Sequence, residues 1–203
     1  FKEKKIIQRN EDKDTYIIIN CIDNKNSSDF ENIGSKLFEF LSNNKIENAC
    51  FNLNLTKITN PQIERILHGA TLKSYSFEIY KTKKKIKKSI NVNIIGRSSK
   101  SILKTKLDAL AEGVFLTRDL VSEPGNILHP DEYAKRIVKL RKLGIKVTVY
   151  DKKRLKKMGC GALLGVGQGS IRGSYLVTME WKGVSSKSKP LAFVGKGVCF
   201  DTG

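Results

Sequence analysis

The sequence is poor in the residues that characterise small secreted proteins and membrane spans. Its 203 residues include four cysteines, four prolines and one tryptophan. The cysteines at positions 21, 50, 160 and 199 are far apart and form no C-x-x-C pair, which argues against a disulfide framework and a zinc site. No apolar run approaches the roughly 18 residues that a membrane span requires. We therefore expect a protein of a reducing compartment, the cytoplasm, with no membrane partner.

Acidic residues are scarce relative to basic ones. There are 20 Asp and Glu against 38 Lys and Arg, a formal net charge of +18. Such a charge would favour nucleic acid or an anionic surface if it formed one patch. The lysines are spread, however, and the densest run, residues 81–88, has Tyr80 as its one adjacent aromatic residue. Because aromatic side chains are needed to stack on bases, a solvated surface segment is favoured over a nucleic-acid interface.

Short strands alternate with helices through the first hundred residues. Hydrophobic residues make up 39% of the chain, enough to build a core. Apolar periodicity predicts strands at residues 16–19, 49–55 and 90–95 and helices at 33–41 and 61–75. Pro61 suits the first turn of the second helix. Helices that connect successive strands predict an α/β fold with a largely parallel or mixed sheet, and a mixed sheet is the expectation for the N-terminal domain.

A second α/β pattern follows one long helix. Apolar residues spaced by four and three predict an amphipathic helix from Ser101 that ends before Pro124. Pro130 suits the first position of the next helix, and Gly144 is a natural stop at its C-terminus. Further strands are predicted at residues 145–149, 175–181 and 191–194, and a short helix at 152–158.

The last predicted strand leads into a turn with glycine on both sides of a lysine. Gly195 and Gly197 enclose Lys196, and Asp201 follows after a short apolar connection. Open α/β sheets place their ligands at the carboxyl ends of strands. A carboxylate ligates hard metal ions, and an amine does so once deprotonated, which a nearby dication favours. Judged by spacing alone, such a pair indicates surface residues or an ion pair more often than a metal site.

Four ordered stretches of the chain share the pattern of one known family. They are residues 68–83 (HGATLKSYSFEIYKTK), 117–126 (TRDLVSEPGN), 161–170 (GALLGVGQGS) and 191–203 (LAFVGKGVCFDTG). Together they resemble the leucine aminopeptidases of the cytosol aminopeptidase family, and the last resembles that family's first metal-binding signature. The resemblance extends from about His68 to Gly203.

The resemblance implies a two-metal exopeptidase. Such an enzyme removes the N-terminal residue, often leucine, from peptides with a free N-terminus, using two divalent ions, Mn²⁺ or Zn²⁺, in a homohexamer. Lys196 would ligate one metal, and Asp201 would bridge both and take part in substrate binding. The family's other metal-binding carboxylates and its catalytic lysine and arginine come later in the chain. No catalytic residue is therefore expected before Gly203, and the 203-residue chain alone is expected to be inactive.

The resemblance also divides the chain. We expect an N-terminal α/β domain over residues 1–99, a connecting helix over 100–122, and the truncated beginning of an α/β metallopeptidase catalytic domain over 123–203. The chain begins at Phe1 rather than Met and stops within a motif at Gly203. Both ends are therefore expected to be cut.

Several residues admit more than one interpretation. The alternative function is that of a truncated, non-catalytic paralogue that acts as a DNA-binding or regulatory module. The G-x-G-x-G of residues 165–169 lacks the ending of a P-loop, so a structural turn is expected there. Cys199 lies between the two proposed ligands, but its apolar neighbours favour a small buried residue over a nucleophile. His68 and His129 are expected to be structural.

Overall fold

A computed structural model describes residues 6–11, 14–19, 26–52, 58–83, 89–96, 102–183 and 189–199. The chain divides into two compact units, Phe1–Arg118 and Asp119–Gly203. Helices and strands occur in both units, which confirms the expected α/β class. Within the described ranges, no helix has the length and apolar character needed to cross a membrane.

The first unit combines two pairs of strands with helices. Its elements are β1 (Ile6–Glu11), β2 (Asp14–Ile19), α1 (Ser27–Asn43), β3 (Asn48–Asn52), α2 (Asn60–Ser74), β4 (Asn91–Ile95) and most of α3 (Ile102–Ser122). β1 and β2 are antiparallel, whereas β3 and β4 are parallel, with Asn48 opposite Asn91. A parallel pair requires a crossover connection, and α2 lies in it. Both strand orientations are thus present, in separate two-stranded sheets.

Side chains at the N-termini define where α1 and α2 begin. The Asn26 side-chain oxygen accepts a hydrogen bond from the Asp29 backbone N–H at 3.0 Å, and the Asp29 carboxylate accepts one from the Asn26 N–H at 3.2 Å. These reciprocal bonds satisfy two backbone donors at the start of α1. At α2, the Thr59 N–H donates to the Gln62 side chain at 2.8 Å, and Pro61 stands in the first turn. The expected start at Pro61 is confirmed.

The core of the first unit lies between α1 and α2. Its buried side chains recur at helical spacing and are Phe30, Ile33, Leu37, Leu41, Ile63 and Ile66. The two helices touch backbone to backbone, because a Cβ at Gly34 would overlap the carbonyl oxygen of Ile66, and a Cβ at Gly69 that of Glu31. The Arg65 guanidinium donates to the Glu31 carboxylate across the same contact at 2.8 Å. Glycine at both positions therefore sets how closely the helices pack.

The second unit begins at the end of α3. Its further elements are α4 (Pro130–Val138), a 3₁₀ helix (Lys139–Leu143), β5 (Lys146–Tyr150), α5 (Lys152–Lys157), α6 (Gly161–Val166) and β6 (Leu176–Glu180). α3 ends before Pro124, as expected. Gly144 ends the 3₁₀ helix with a left-handed φ of 84°, which also agrees with the sequence. β5 and β6 pair antiparallel, with Val147 opposite Met179.

The prediction of a strand at residues 191–194 is wrong. These residues have no regular secondary structure. The side chains of Leu191, Phe193 and Val194 are 82%, 89% and 99% exposed. A strand is held by hydrogen bonds to a neighbouring strand, and none of the strands in the described ranges pairs with this segment. The prediction rested on apolar composition alone, which does not show whether a neighbouring strand is available for pairing.

Candidate metal centre

The segment that carries Lys196 runs over residues 189–199 without regular structure. Lys196 is exposed, and a Cβ added at Gly195 would meet nothing within 4 Å. The amine can therefore reach a ligand without displacing packed atoms. Asp201, the second proposed ligand, lies outside the described residues.

Metal donors are few around this segment. In the described part of the chain, no three His, Cys, Asp or Glu side chains lie close enough together to hold a metal ion. Because Lys196 is exposed, its amine is accessible to a metal ion. A single amine is not enough to bind a dication, which needs several ligands.

Gly197, the residue after Lys196, lies beside Tyr133 of α4. A Cβ at Gly197 would come within 2.9 Å of Cε1 of Tyr133, so the Gly197 backbone lies close to the edge of that ring. Cys199 is half-buried. Burial, followed by the negative charge of Asp131, raises the pKa of the Cys199 thiol. The thiolate is thus disfavoured, which supports the small buried role expected for Cys199 over that of a nucleophile.

Asp131, in the first turn of α4, is the centre of a polar network. The Tyr175 hydroxyl donates to Asp131 Oδ1 at 2.7 Å, and the Arg172 guanidinium donates to Oδ2 at 3.4 Å. The hydrogen bond from Tyr175 lowers the pKa of Asp131 below its usual value, partial burial opposes this, and the charges of His129 and Arg172 lower it further. The same bond, with burial, raises the pKa of Tyr175. Asp131 is therefore held ionised and Tyr175 protonated.

His129 and Arg136 hold α4 at two further points. The Glu132 N–H donates to Nδ1 of His129 at 3.3 Å, so His129 caps the helix. That Nδ1 also lies 3.2 Å from the Asp131 carboxylate. One turn on, Arg136 donates at 2.7 Å to Glu123, whose side chain is 5% exposed. Hydrogen bonding to Glu123 raises the pKa of Arg136.

Sequence reasoning missed this network. Asp131 and Tyr175 are separated by 44 residues, so nothing local in the sequence connects them. Together with Lys135 and three small apolar residues they also line a cavity of about 320 Å³ beside α4.

Replacing Tyr175 by phenylalanine is expected to lower the free energy of unfolding of the second unit by about 1 kcal/mol near neutral pH. The lost bond is to an ionised carboxylate. Because the pKa of Asp131 is lowered on folding, this stability is complete above its ordinary value of 3.8 and is lost as pH falls through the lower folded-state pKa. Urea unfolding at several pH values should show the wild-type and variant curves converging in acid. A gap that persists unchanged in strong acid would contradict this.

The other candidates from the sequence have structural surroundings. His68 is buried in α2. Residues 165–169 include the end of α6 and a turn, consistent with a scaffold role. Of the basic run, residues 84–88 lie outside the described ranges, and Lys81 forms an ion pair with Glu78 at 3.3 Å. Nothing found favours the DNA-binding alternative.

Comparison with known proteins identifies the family. Residues 115–203 match the model of the catalytic domain of the cytosol aminopeptidase family. A protein of Brucella suis named probable cytosol aminopeptidase is 44% identical over 87% of this chain, and one of the same name from Phytoplasma mali is 48% identical over 72%. This chain belongs to the cytosol aminopeptidase family. It spans 37% of the length of the Brucella relative and 31% of the Phytoplasma one.

Solved structures match the fold of this member of the cytosol aminopeptidase family. A mutant of tomato leucine aminopeptidase matches with a TM-score of 0.72 at 18% identity, over 85% of this chain and 37% of that one. The bottromycin maturation enzyme BotP matches with a TM-score of 0.71 at 19% identity, over 88% of this chain and 40% of its own. A second BotP structure, in complex with Mn, matches with a TM-score of 0.64. At these identities the likeness establishes the fold.

Proposed function

We propose that the protein to which these residues belong is a metal-dependent aminopeptidase that hydrolyses N-terminal residues, preferably leucine, from peptides. The observation that carries the proposal is the match of residues 115–203 to the catalytic domain of the family. That stretch contains Lys196 on an exposed, glycine-flanked turn, followed by Asp201.

In this proposal Lys196 would ligate one metal, and Asp201 would supply a carboxylate to both metals and contribute to substrate binding. The bound dications would supply Lewis-acid polarisation of the peptide carbonyl, activation of water and a site for the free amine of the substrate. Lys196 must lose its proton to ligate, and its exposure lets that proton pass directly to water.

The remaining properties are proposed from the family. The metal is Mn²⁺ or Zn²⁺, and the Mn complex of BotP supports a divalent ion. The assembly is a homohexamer, and the compartment is the cytoplasm. The catalytic lysine and arginine and the other metal-binding carboxylates are not among the residues of this chain.

The test is an assay of two proteins, one expressed from the complete gene and one limited to these 203 residues. We expect the complete protein to hydrolyse leucine p-nitroanilide, to lose that activity on chelation, and to regain it with Mn²⁺ or Zn²⁺. N-acetyl-leucine p-nitroanilide, which lacks the free amine, should not be cleaved. We expect no cleavage by the 203-residue chain, because two ligands cannot hold two metals. Hydrolysis that a chelator leaves unchanged, or full activity of the shorter chain, would overturn the proposal.

A further inference from the structure

The two glycines that flank Lys196 have different surroundings. A Cβ at Gly195 would point into open space. A Cβ at Gly197 would lie 2.9 Å from Cε1 and 3.6 Å from Cδ1 of Tyr133, closer to Cε1 than real Cβ atoms come. Gly197 does not have a positive φ, so the requirement for glycine is one of space and not of backbone conformation. Lys196 is therefore free on one side and is joined on the other to a residue in contact with Tyr133.

Tyr133 stands between two fixed points of α4. Asp131, two residues before it, is bound to the Tyr175 hydroxyl at 2.7 Å. Arg136, three residues after it, is bound to the buried carboxylate of Glu123 at 2.7 Å. These bonds tie α4 to Tyr175, just before β6, and to Glu123, just after α3, so the ring of Tyr133 is presented on a helix that is held near both ends.

The contact with Tyr133 falls between the two proposed metal ligands, Lys196 and Asp201. Cys199, two residues after Gly197, is half-buried.

We infer that Tyr133 is a positioning residue for the metal-binding turn, and that its ring is the support that fixes the Gly197 backbone and with it the place of Lys196. This inference rests on the proposed function, since it concerns the same metal site. Tyr133 touches neither metal nor substrate in this account and acts through the backbone beside the ligand.

A double-mutant cycle in the protein expressed from the complete gene tests this. The variants are Gly197→Ala, Tyr133→Ala and the two combined, with Mn²⁺ affinity by calorimetry and thermal unfolding as readouts. We expect Gly197→Ala to weaken Mn²⁺ binding about 10- to 100-fold, as loss of a ligand's support does. We expect the same change to add less than about 3-fold in the Tyr133→Ala background, because the ring that the methyl would strike is gone.

Two further variants separate positioning from general damage. Tyr133→Phe retains the ring carbons and should bind Mn²⁺ like the wild type. Gly165→Ala, whose methyl would meet nothing within 4 Å, measures the effect of a glycine substitution without a contact. Additive effects of Gly197→Ala and Tyr133→Ala on Mn²⁺ affinity would overturn the inference and leave the proposed function standing. A wild-type protein that binds no Mn²⁺ and cleaves no substrate would overturn both.

Discussion

Replacing Gly34 by alanine is expected to lower the free energy of unfolding of the first unit by about 2 to 3 kcal/mol. The added methyl would overlap the carbonyl oxygen of Ile66 and lie 2.9 Å from the backbone nitrogen of Ala70. Backbone atoms cannot rotate aside as a side chain can. α1 and α2 must therefore separate, and the core between them loses contacts. Urea unfolding followed by circular dichroism measures the change.

Gly113 provides the matched control for Gly34. It lies inside α3, and a Cβ there would meet nothing within 4 Å. Gly113→Ala is therefore expected to raise the free energy of unfolding by about 0.5 to 1 kcal/mol, through helix propensity alone. The same type of substitution should thus have opposite signs at the two positions. A Gly34→Ala chain as stable as the wild type would contradict the backbone contact between the helices.

Replacing Lys196 by alanine is expected to reduce kcat/KM of the protein from the complete gene about 1,000-fold. Metal ions contribute several kcal/mol to transition-state stabilisation, and about 1.36 kcal/mol corresponds to a factor of ten. The measurement is the rate of leucine p-nitroanilide hydrolysis at saturating Mn²⁺, with circular dichroism to show that the variant is folded. Because Lys196 is exposed, its removal should leave the thermal unfolding of the metal-free protein unchanged.

Two variants distinguish metal ligation from loss of a positive charge. Lys196→Arg keeps the charge, but a guanidinium does not lose its proton and cannot ligate, so this variant should be as inactive as Lys196→Ala. Lys189→Ala removes an exposed lysine from the same segment and should stay within about 2-fold of the wild type. Activity restored by Lys196→Arg would assign Lys196 an electrostatic role instead.

Local signals in the sequence predicted most of the helices. Pro61, Pro130 and Gly144 act within one turn of the chain, so their effects can be derived without knowledge of the fold. The strand at residues 191–194 failed because pairing depends on a neighbour elsewhere in the chain. The close approach of α1 and α2 at Gly34 could not be predicted for the same reason, because its partner Ile66 lies on the other helix.

The candidate site, like the fold, could be predicted only in part. Lys196 and Asp201 were found by resemblance to a family motif, whereas their spacing alone favoured an ordinary ion pair. The contact between Gly197, next to Lys196, and Tyr133 could not be predicted. Tyr133 and Gly197 are 64 residues apart (197 − 133), and the Asp131–Tyr175 bond likewise joins distant parts of the chain. Such contacts join segments that are far apart in the sequence, and no local pattern encodes them.

The most direct test of the central claim is the metal content of the protein from the complete gene and of its Lys196→Ala variant. Both would be saturated with Mn²⁺, passed through a desalting column and analysed by native mass spectrometry. The proposed site predicts that the wild type retains two ions per chain and that the variant loses at least one of them. Equal metal content in the two proteins would contradict the assignment of Lys196 as a ligand, and with it the placement of the metal centre at this turn.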